Sequence, residues 1–149
     1  MNFNQTINIL ICEDTPGDVD TINSVLAKSS SDYAIHHVAD GNTAIDYLHQ
    51  TEEYQNRLRP DLILLDLNLP QRHGFEILEE IKTDPNLKTI PVIVLTSSKS
   101  EQDVVRSYEL YCSCFVTKPF DFNDFTNAMK DIEKFWLNLV QLPPQFENS

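Results

Sequence analysis

The sequence is poor in cations, cysteine and glycine. Its 149 residues carry 11 lysines and arginines against 23 aspartates and glutamates, for a formal net charge of −12. Such a chain has no basic surface for DNA, RNA or anionic lipid. Its three cysteines, Cys12, Cys112 and Cys114, are too few for a disulfide framework or a zinc site. No apolar run approaches the roughly 18 residues that span a bilayer, and the N-terminus lacks the regions of a signal peptide. We therefore expect a cytoplasmic protein that binds neither nucleic acid nor membrane.

One stretch near the middle of the chain combines a strand signal with a chemical group. Residues 61–70 read DLILLDLNLP, in which the run from Leu62 to Leu65 is apolar without alternation. This pattern is typical of a strand buried on both faces of a parallel sheet. Asp66 follows it directly, and ligands of open α/β sheets bind outside the carboxyl ends of the strands. Aspartate is also common in turns, so the position alone leaves both interpretations open.

Strand and helix patterns alternate along the whole chain. Strands are predicted at 7–12, 34–38, 62–65, 92–95 and 114–117, each followed by a helical pattern. Five such pairs predict a doubly wound α/β fold whose parallel sheet is covered on both sides, with the flavodoxin-like strand order 2-1-3-4-5. We expect a short N-terminal tail over 1–6, one domain over 7–133, and an extension over 134–149 that continues the last helix. The apolar stripe of that helix is predicted to comprise Phe122, Phe125, Met129, Ile132, Trp136 and Val140.

This strand order brings polar residues from distant parts of the chain to one edge of the sheet. Glu13 and Asp14 follow the first strand and meet Asp66, while Thr96 and Lys118 end the fourth and fifth strands. Clustered carboxylates raise one another's pKa unless a cation lies among them, and an oxygen-only site suits Mg²⁺. A carboxylate can serve as the nucleophile of phosphoryl transfer, with Lys118 and Thr96 contacting the phosphoryl oxygens. The site therefore predicts phosphorylation of the protein itself.

These residues belong to a recognisable set: Glu13-Asp14, Asp66 with Asn68 and Pro70, Gly74, Thr96-Ser97 and Lys118-Pro119-Phe120. With this set, the sequence over about residues 7–133 resembles the receiver domains of two-component response regulators. The resemblance implies that Asp66 is the phosphoacceptor. It implies that Asp14, Asp66 and the backbone carbonyl of Asn68 hold Mg²⁺, with Glu13 acting through a metal-bound water. It further implies a cis bond before Pro119, and a switch in which Phe115 and Thr96 move on phosphorylation.

More narrowly, the sequence resembles the single-domain response regulators that partner cyanobacterial phytochromes. The features are residues 13–18, the long segment 51–59, residues 66–70 and Phe135-Trp136-Leu137. A phytochrome histidine kinase is the partner that this resemblance implies. Two positions depart from the family. Arg72 and His73 stand where many receivers have Met and Asp; either both are plain exposed loop residues, or Arg72 helps to recognise the donor kinase. Tyr111 stands where the family often has glycine, so we expect the fourth helix to end without a left-handed cap.

The apolar extension allows two interpretations. It packs on its own domain, or it pairs two copies into a homodimer through Phe135, Trp136 and Val140, because exposed apolar patches seldom remain without a partner. Two other functions also remain open: a pseudo-receiver that binds without phosphorylation, and an aspartyl-phosphate phosphatase. The phosphatase is disfavoured because it needs a second Asp where this chain has Asn68. His36, His37 and His49 are expected to lie away from the site.

Overall fold

The computed structural model describes residues 6–29, 31–55 and 57–145. Its five strands are β1 (Ile7–Cys12), β2 (Tyr33–Val38), β3 (Leu62–Leu65), β4 (Val92–Thr96) and β5 (Cys114–Thr117). All pair in parallel, in the order β2-β1-β3-β4-β5. The helices are α1 (Pro16–Ala27), α2 (Gly41–Leu48), α3 (Gly74–Thr83), α4 (Glu101–Glu109) and α5 (Phe122–Ile132), with a 3₁₀ turn at Glu52–Tyr54 and a π-helix at Glu133–Leu139. The predicted fold class and strand order are confirmed. Within the described residues, no helix is both long and apolar enough to cross a bilayer.

The central strand β3 has a core on each side of it. Leu62 and Leu64 point into a cluster shared with α1 and α5. Ile63 and Leu65 point the other way, into a cluster shared with α2 and α3. Because successive side chains of a strand face opposite sides, both faces must be apolar when both are covered. The uninterrupted run of leucine and isoleucine is therefore a direct consequence of the two-sided core.

Side-chain caps fix where several helices begin. Asp40 accepts a hydrogen bond from the Thr43 amide at 2.7 Å, and Asp121 accepts one from the Asp124 amide at 3.0 Å. These contacts satisfy amides that have no partner within the helix. Thr15 occupies the cap position of α1, but its side chain makes no capping bond. The start of α1 is instead favoured by Pro16, whose fixed φ suits the first helical position.

The end of α4 differs from the prediction. Tyr111 does adopt a left-handed conformation, with φ 69°. Its amide donates to the Tyr108 carbonyl at 2.9 Å, and the Cys112 amide donates to the Ser107 carbonyl at 3.1 Å. These are the two bonds of a Schellman motif, and Cys112 is buried against the core. The satisfied carbonyls and the buried thiol offset the cost of a side chain at this φ, so the expected departure from the left-handed cap was wrong.

The last helix and its extension only partly follow the predicted apolar stripe. Phe122 is exposed at the start of α5, and Val140 lies just beyond the π-helix in extended conformation. Trp136 and Leu142 pack against the same core cluster as Phe125, whereas Phe135 and Leu139 remain exposed. The extension thus covers its own domain with one side and leaves a smaller apolar surface on the other.

The segment after the π-helix returns to the amino-terminal edge of the sheet. The Gln145 side chain donates to the Asp61 carboxylate at 2.6 Å and to the Arg59 carbonyl at 3.3 Å. The Arg59 guanidinium in turn donates to Gln145 Oε1 at 3.1 Å. Asp61 also accepts the amide of Asn8 at 2.8 Å. These bonds tie the C-terminal tail to the starts of β1 and β3, at the edge opposite the predicted site.

Candidate functional site

Three carboxylates meet at the carboxyl edge of the sheet. Glu13 and Asp14 directly follow β1, and Asp66 directly follows β3. The Asp66 amide donates to the Cys12 carbonyl at 3.0 Å, which extends the β1–β3 pairing as far as the carboxylates. One oxygen of each carboxylate lies within 4.8 Å of the others. Glu13 and Asp66 are buried, with Asp66 5% exposed, whereas Asp14 is exposed and forms the open side of the group.

The Lys118 ammonium lies between the carboxylates. Its Nζ is 2.5 Å from Glu13 Oε1, 2.9 Å from Asp18 Oδ2 and 3.0 Å from Asp66 Oδ2. Lys118 follows β5, and its amide donates to the Thr96 carbonyl at 2.7 Å, so the end of β4 fixes its backbone. An ammonium has three protons to donate, and each of the three carboxylates can take one. Each of the three N–H donors of the buried Lys118 ammonium therefore has a carboxylate partner.

Thr96 and Asn68 complete the edge on the β4 side. Asn68 donates its amide to Asp66 Oδ1 at 3.2 Å, and its side-chain Nδ2 lies 3.5 Å from Thr96 Oγ1. The Thr96 hydroxyl is fully buried and accepts the Ser98 amide at 3.4 Å. The structure thus brings together all five residues that the topology placed at this edge.

Charge and burial act in opposite directions on the pKa values of these groups. Burial would raise the pKa of Asp66, but the charge and hydrogen bond of Lys118 outweigh it and bring the pKa below its usual range. Burial raises the pKa of Glu13 to about 7, helped by the charge of Asp66 and opposed by Lys118. For Lys118, burial lowers the pKa, but hydrogen bonds to Glu13 and Asp18 reverse this and raise it above its usual range. Lys118 therefore stays charged at neutral pH, while Glu13 is the group closest to taking up a proton.

The donor set suits a hard divalent cation. Four carboxylates lie at this edge against one ammonium, counting Asp18, so negative charge remains in excess after Lys118 is paired. Carboxylate and backbone carbonyl oxygens with an open, solvated side are the ligands that Mg²⁺ and Mn²⁺ prefer. The exposed carboxylate of Asp14 provides that side. The residues present therefore fit a divalent metal.

Two residues in contact with this site were missed in the sequence. Asp18 was named only within the segment 13–18 and given no role at the site, yet it pairs with Lys118. His37 was expected away from the edge, yet its Nε2 lies 2.6 Å from the Glu13 carbonyl oxygen. The signal for Asp18 was its position in the first turn of α1, which begins at the same edge of the sheet. Nothing in the local pattern indicated the contact of His37, because it depends on how β2 aligns with β1.

The peptide bond before Pro119 corrects an expectation taken from the family. No peptide bond is cis among residues 6–29, 31–55 and 57–145, so the Lys118–Pro119 bond is trans. The trans isomer is the lower in energy for most X–Pro bonds, and here Lys118 reaches all three carboxylates from it.

The remaining predicted positions surround the site. Phe115 lies on β5, partly buried against the core cluster on the α2–α3 side, and its amide donates to the Tyr108 hydroxyl at 3.2 Å. Arg72 is exposed and donates to Asn42 Oδ1 at 2.9 Å. His73 caps α3 by accepting the Phe75 amide on Nδ1 at 3.0 Å. Arg72 and His73, which differ from the usual residues of the family, thus each make a hydrogen bond within the domain.

Gly74 allows the start of α3 to approach the site. A Cβ at this position would lie 2.6 Å from the Leu67 Cα and 2.7 Å from the Asp66 carbonyl oxygen. Real side chains do not tolerate such distances, so any other residue would push α3 away from the end of β3. Gly74 therefore helps to fix the backbone on which Asp66 is carried.

Comparison with known proteins places this geometry in context. Residues 9–130 match the sequence profile described as the response regulator receiver domain. The chain is 47% identical over 135 residues to response regulator Rcp1 of Synechocystis sp., covering 91% of this chain and 92% of that protein. The solved structure of Mn²⁺-bound Rcp1 is similar with a TM-score of 0.91 and 46% identity, covering 93% of this chain and 99% of that one. The phosphorylated cyanobacterial phytochrome response regulator RcpA gives a TM-score of 0.92 and 44% identity, covering 94% and 100%.

Proposed function

This chain belongs to the family of response regulator receiver domains, and we propose that Asp66 accepts a phosphoryl group from a sensor histidine kinase. The observation that carries the proposal is the pairing of a strand-end carboxylate with a buried ammonium, 3.0 Å apart, within a group of carboxylates. Phosphorylation would then switch the interactions of the protein with its partners. The chain would catalyse only its own phosphorylation and its hydrolysis.

The chemistry needs little from the protein beyond position and charge. The Asp66 pKa is lowered, so its carboxylate is ionised and available as a nucleophile at neutral pH. Lys118 holds a positive charge next to the attacking oxygen and can stabilise the negative charge of the transferring group. We assign Mg²⁺ to Asp14, Asp66 and the Asn68 carbonyl, with Glu13 beside them. Bound there, the ion would neutralise phosphoryl oxygens that the carboxylates would otherwise repel.

We propose that the switch begins at Thr96 and reaches Phe115. The phosphoryl group adds about two negative charges and strong hydrogen-bond acceptors. The Thr96 hydroxyl, which is 3.5 Å from the side-chain Nδ2 of Asn68, would turn to donate to a phosphoryl oxygen. Phe115 is only partly buried and would move into the space that Thr96 leaves. The two positions lie on adjacent strands, in which Val94 pairs with Phe115.

We propose a phytochrome histidine kinase as the phosphoryl donor. The similarity to RcpA, a phytochrome response regulator, and to Rcp1 supports this choice. Exposed Arg72, close to the site in sequence, is a candidate contact for the donor. All three cysteines are free thiols, which is consistent with phosphoryl transfer from the kinase taking place in the reducing cytoplasm.

We further propose that the protein forms a homodimer through the C-terminal extension, with Phe135, Trp136 and Val140 as the candidate contacts. Phe135 is half exposed, and Leu139 next to it on the π-helix is 75% exposed. Phe135 also stacks edge-on against Trp136, at 5.5 Å between ring centroids, which gives the surface a rigid aromatic centre. Sedimentation of Phe135→Ser combined with Leu139→Ser tests this contact. Leu58→Ser is the matched control, because the exposure of Leu58 lies between those of Phe135 and Leu139, and Leu58 lies outside the extension. A wild type that sediments as a monomer would contradict the dimer.

One gel tests the phosphoacceptor. The protein is incubated with Mg²⁺ and acetyl phosphate, and phosphorylated protein is separated by phosphate-affinity electrophoresis. We expect a shifted band that is absent from Asp66→Asn and present in Asp20→Asn, which removes an exposed carboxylate. An unshifted wild type would favour the pseudo-receiver, and continuous turnover of many phosphate esters would favour a phosphatase. Transfer of label from candidate phytochrome kinases, compared by rate, then tests the partner.

A further inference from the structure

Lys118 has one partner that the metal group does not include. Among the described residues, the carboxylates placed to hold a metal are Glu13, Asp14 and Asp66. Glu13 and Asp66 also pair with Lys118, whereas Asp18 pairs with Lys118 without belonging to that group. Asp18 is thus the only one of the three partners whose bond to the ammonium need not be shared with a cation.

This difference matters because the other two partners change during phosphorylation. In the reaction with acetyl phosphate, a bond forms between an Asp66 carboxylate oxygen and phosphorus. The bond from phosphorus to the acetate oxygen breaks, and acetate leaves with that electron pair, so no proton has to be transferred. Asp66 thereby loses its carboxylate charge, while Glu13 lies next to any bound cation. Lys118 would lose or weaken its bonds to two of its three carboxylate partners at the stage where it has to stay next to the transferring phosphoryl group.

Resting on the proposed phosphoacceptor role of Asp66, we propose that Asp18 is a positioning residue. It holds the Lys118 ammonium next to the reacting oxygen throughout the phosphorylation cycle. Its own position is well defined: its amide donates to the Thr15 carbonyl at 3.1 Å in the first turn of α1, and the adjacent Val19 is buried in the domain. The Asp18 side chain is 27% exposed, so it approaches Lys118 from the rim of the site. An exposed ion pair with no such role contributes little even to stability, so its loss gives no reason for a slower reaction.

The test compares Asp18→Asn with a variant that removes the same charge elsewhere on α1. Asp20 is two residues further along the helix and exposed, so Asp20→Asn is the matched control. The rate of phosphorylation by acetyl phosphate is measured over a range of Mg²⁺ concentrations. This yields a maximal rate and a half-saturating Mg²⁺ concentration for each protein.

We expect Asp18→Asn to lower the maximal rate about tenfold, as for a lost charge-assisted hydrogen bond that acts in the transition state. The half-saturating Mg²⁺ concentration should stay within about twofold of wild type, because Asp18 is outside the metal group. Asp18→Glu should recover most of the rate, since it restores the carboxylate. Asp20→Asn should match the wild type. Urea unfolding of each variant shows whether the domain is intact.

A second measurement does not depend on phosphorylation. In the metal-free protein, the Lys118 ammonium protons should exchange slowly enough to be seen by ¹⁵N NMR, because all three are bonded. Asp18→Asn should speed their exchange, and Asp20→Asn should not.

Four results would overturn the proposal, and the last of them would also overturn the proposed function. An Asp18→Asn rate equal to wild type would show that Lys118 needs no third partner. Equal losses in Asp18→Asn and Asp20→Asn would show a general charge effect. A changed half-saturating Mg²⁺ concentration with an unchanged maximal rate would make Asp18 a metal ligand. A wild type that takes no phosphoryl group would refute the proposed function and this inference together, whereas a labelled wild type with an unaffected Asp18→Asn refutes this inference alone.

Discussion

The raised pKa of Glu13 predicts that the stability of the metal-free protein depends on pH in a specific window. Its pKa is about 7 in the folded protein, against an ordinary 4.5, chiefly because the side chain is buried and Asp66 is close. Ionising Glu13 therefore costs about 3 kcal/mol more in the folded chain than in the unfolded one. Since the folded pKa is the higher one, the folded state is favoured while Glu13 is protonated, and this contribution to the free energy of unfolding is fully present below pH about 4.5. It is lost as pH rises through about 7.

Replacement of Glu13 by Gln isolates this contribution. Gln is neutral at every pH and keeps an oxygen that can accept from Lys118. We expect the free energy of unfolding of wild type, relative to Glu13→Gln, to fall by up to about 3 kcal/mol between pH 5 and pH 8. Urea unfolding followed by the fluorescence of the only tryptophan, Trp136, measures it. Other titrating groups, including His36 with its lowered pKa, affect both proteins and cancel in the difference.

Divalent metal provides the second arm of the same experiment. A cation next to Glu13 favours the ionised carboxylate, so saturating Mg²⁺ should stabilise the wild type more at pH 8 than at pH 5. The pH dependence of the wild type should then approach that of Glu13→Gln. Parallel curves for the two proteins from pH 5 to pH 8 in the absence of metal would refute the reasoning, because they would show that burial does not penalise the Glu13 charge.

Three further changes have expected outcomes that urea unfolding can measure. Lys118→Met should destabilise the metal-free protein by roughly 3–5 kcal/mol, because it leaves buried carboxylates without their cation. Mg²⁺ should restore part of the lost stability. Lys99→Met, which replaces an exposed lysine, is the control. Tyr111→Gly should stabilise by about 1 kcal/mol, because glycine accepts φ 69° without strain and the lost side chain is exposed; a destabilised variant would contradict this. Gly74→Ala should destabilise by about 1–3 kcal/mol and slow phosphorylation, because its Cβ would collide with Leu67, and a neutral effect would show that α3 can shift freely.

The fold was predictable because its strongest signals are local. The apolar run of β3 identifies a doubly covered strand, since both of its faces need apolar side chains. Strict alternation of strands and helices then leaves few parallel topologies. Once the order is fixed, Glu13, Asp66 and Lys118 must share an edge, because each directly follows a strand that ends there.

What the sequence did not reveal depends on the orientation of one element against another. The pairing of Asp18 with Lys118 requires a particular rotation of α1 and the full reach of a lysine side chain. The contact of His37 with Glu13 depends on the alignment of two adjacent strands. Tyr111 was misjudged because the penalty at its own φ was considered without the two carbonyls that the turn satisfies. Exposed Phe122 shows that an apolar period can extend one turn beyond the buried face of a helix.

The bonds of Gln145 have a consequence for how the protein is shortened in the laboratory. They attach the C-terminal tail to Arg59 and Asp61 at the amino-terminal edge of the sheet, opposite the carboxylates of the site. A version cut before Trp136 would lose these bonds together with the buried side chain of Leu137. Its domain would therefore be less stable, whether or not the extension also binds a partner. The effects of the extension on assembly or signalling are therefore best tested with single substitutions on the exposed face of the π-helix, which keep the bonds of Gln145 intact.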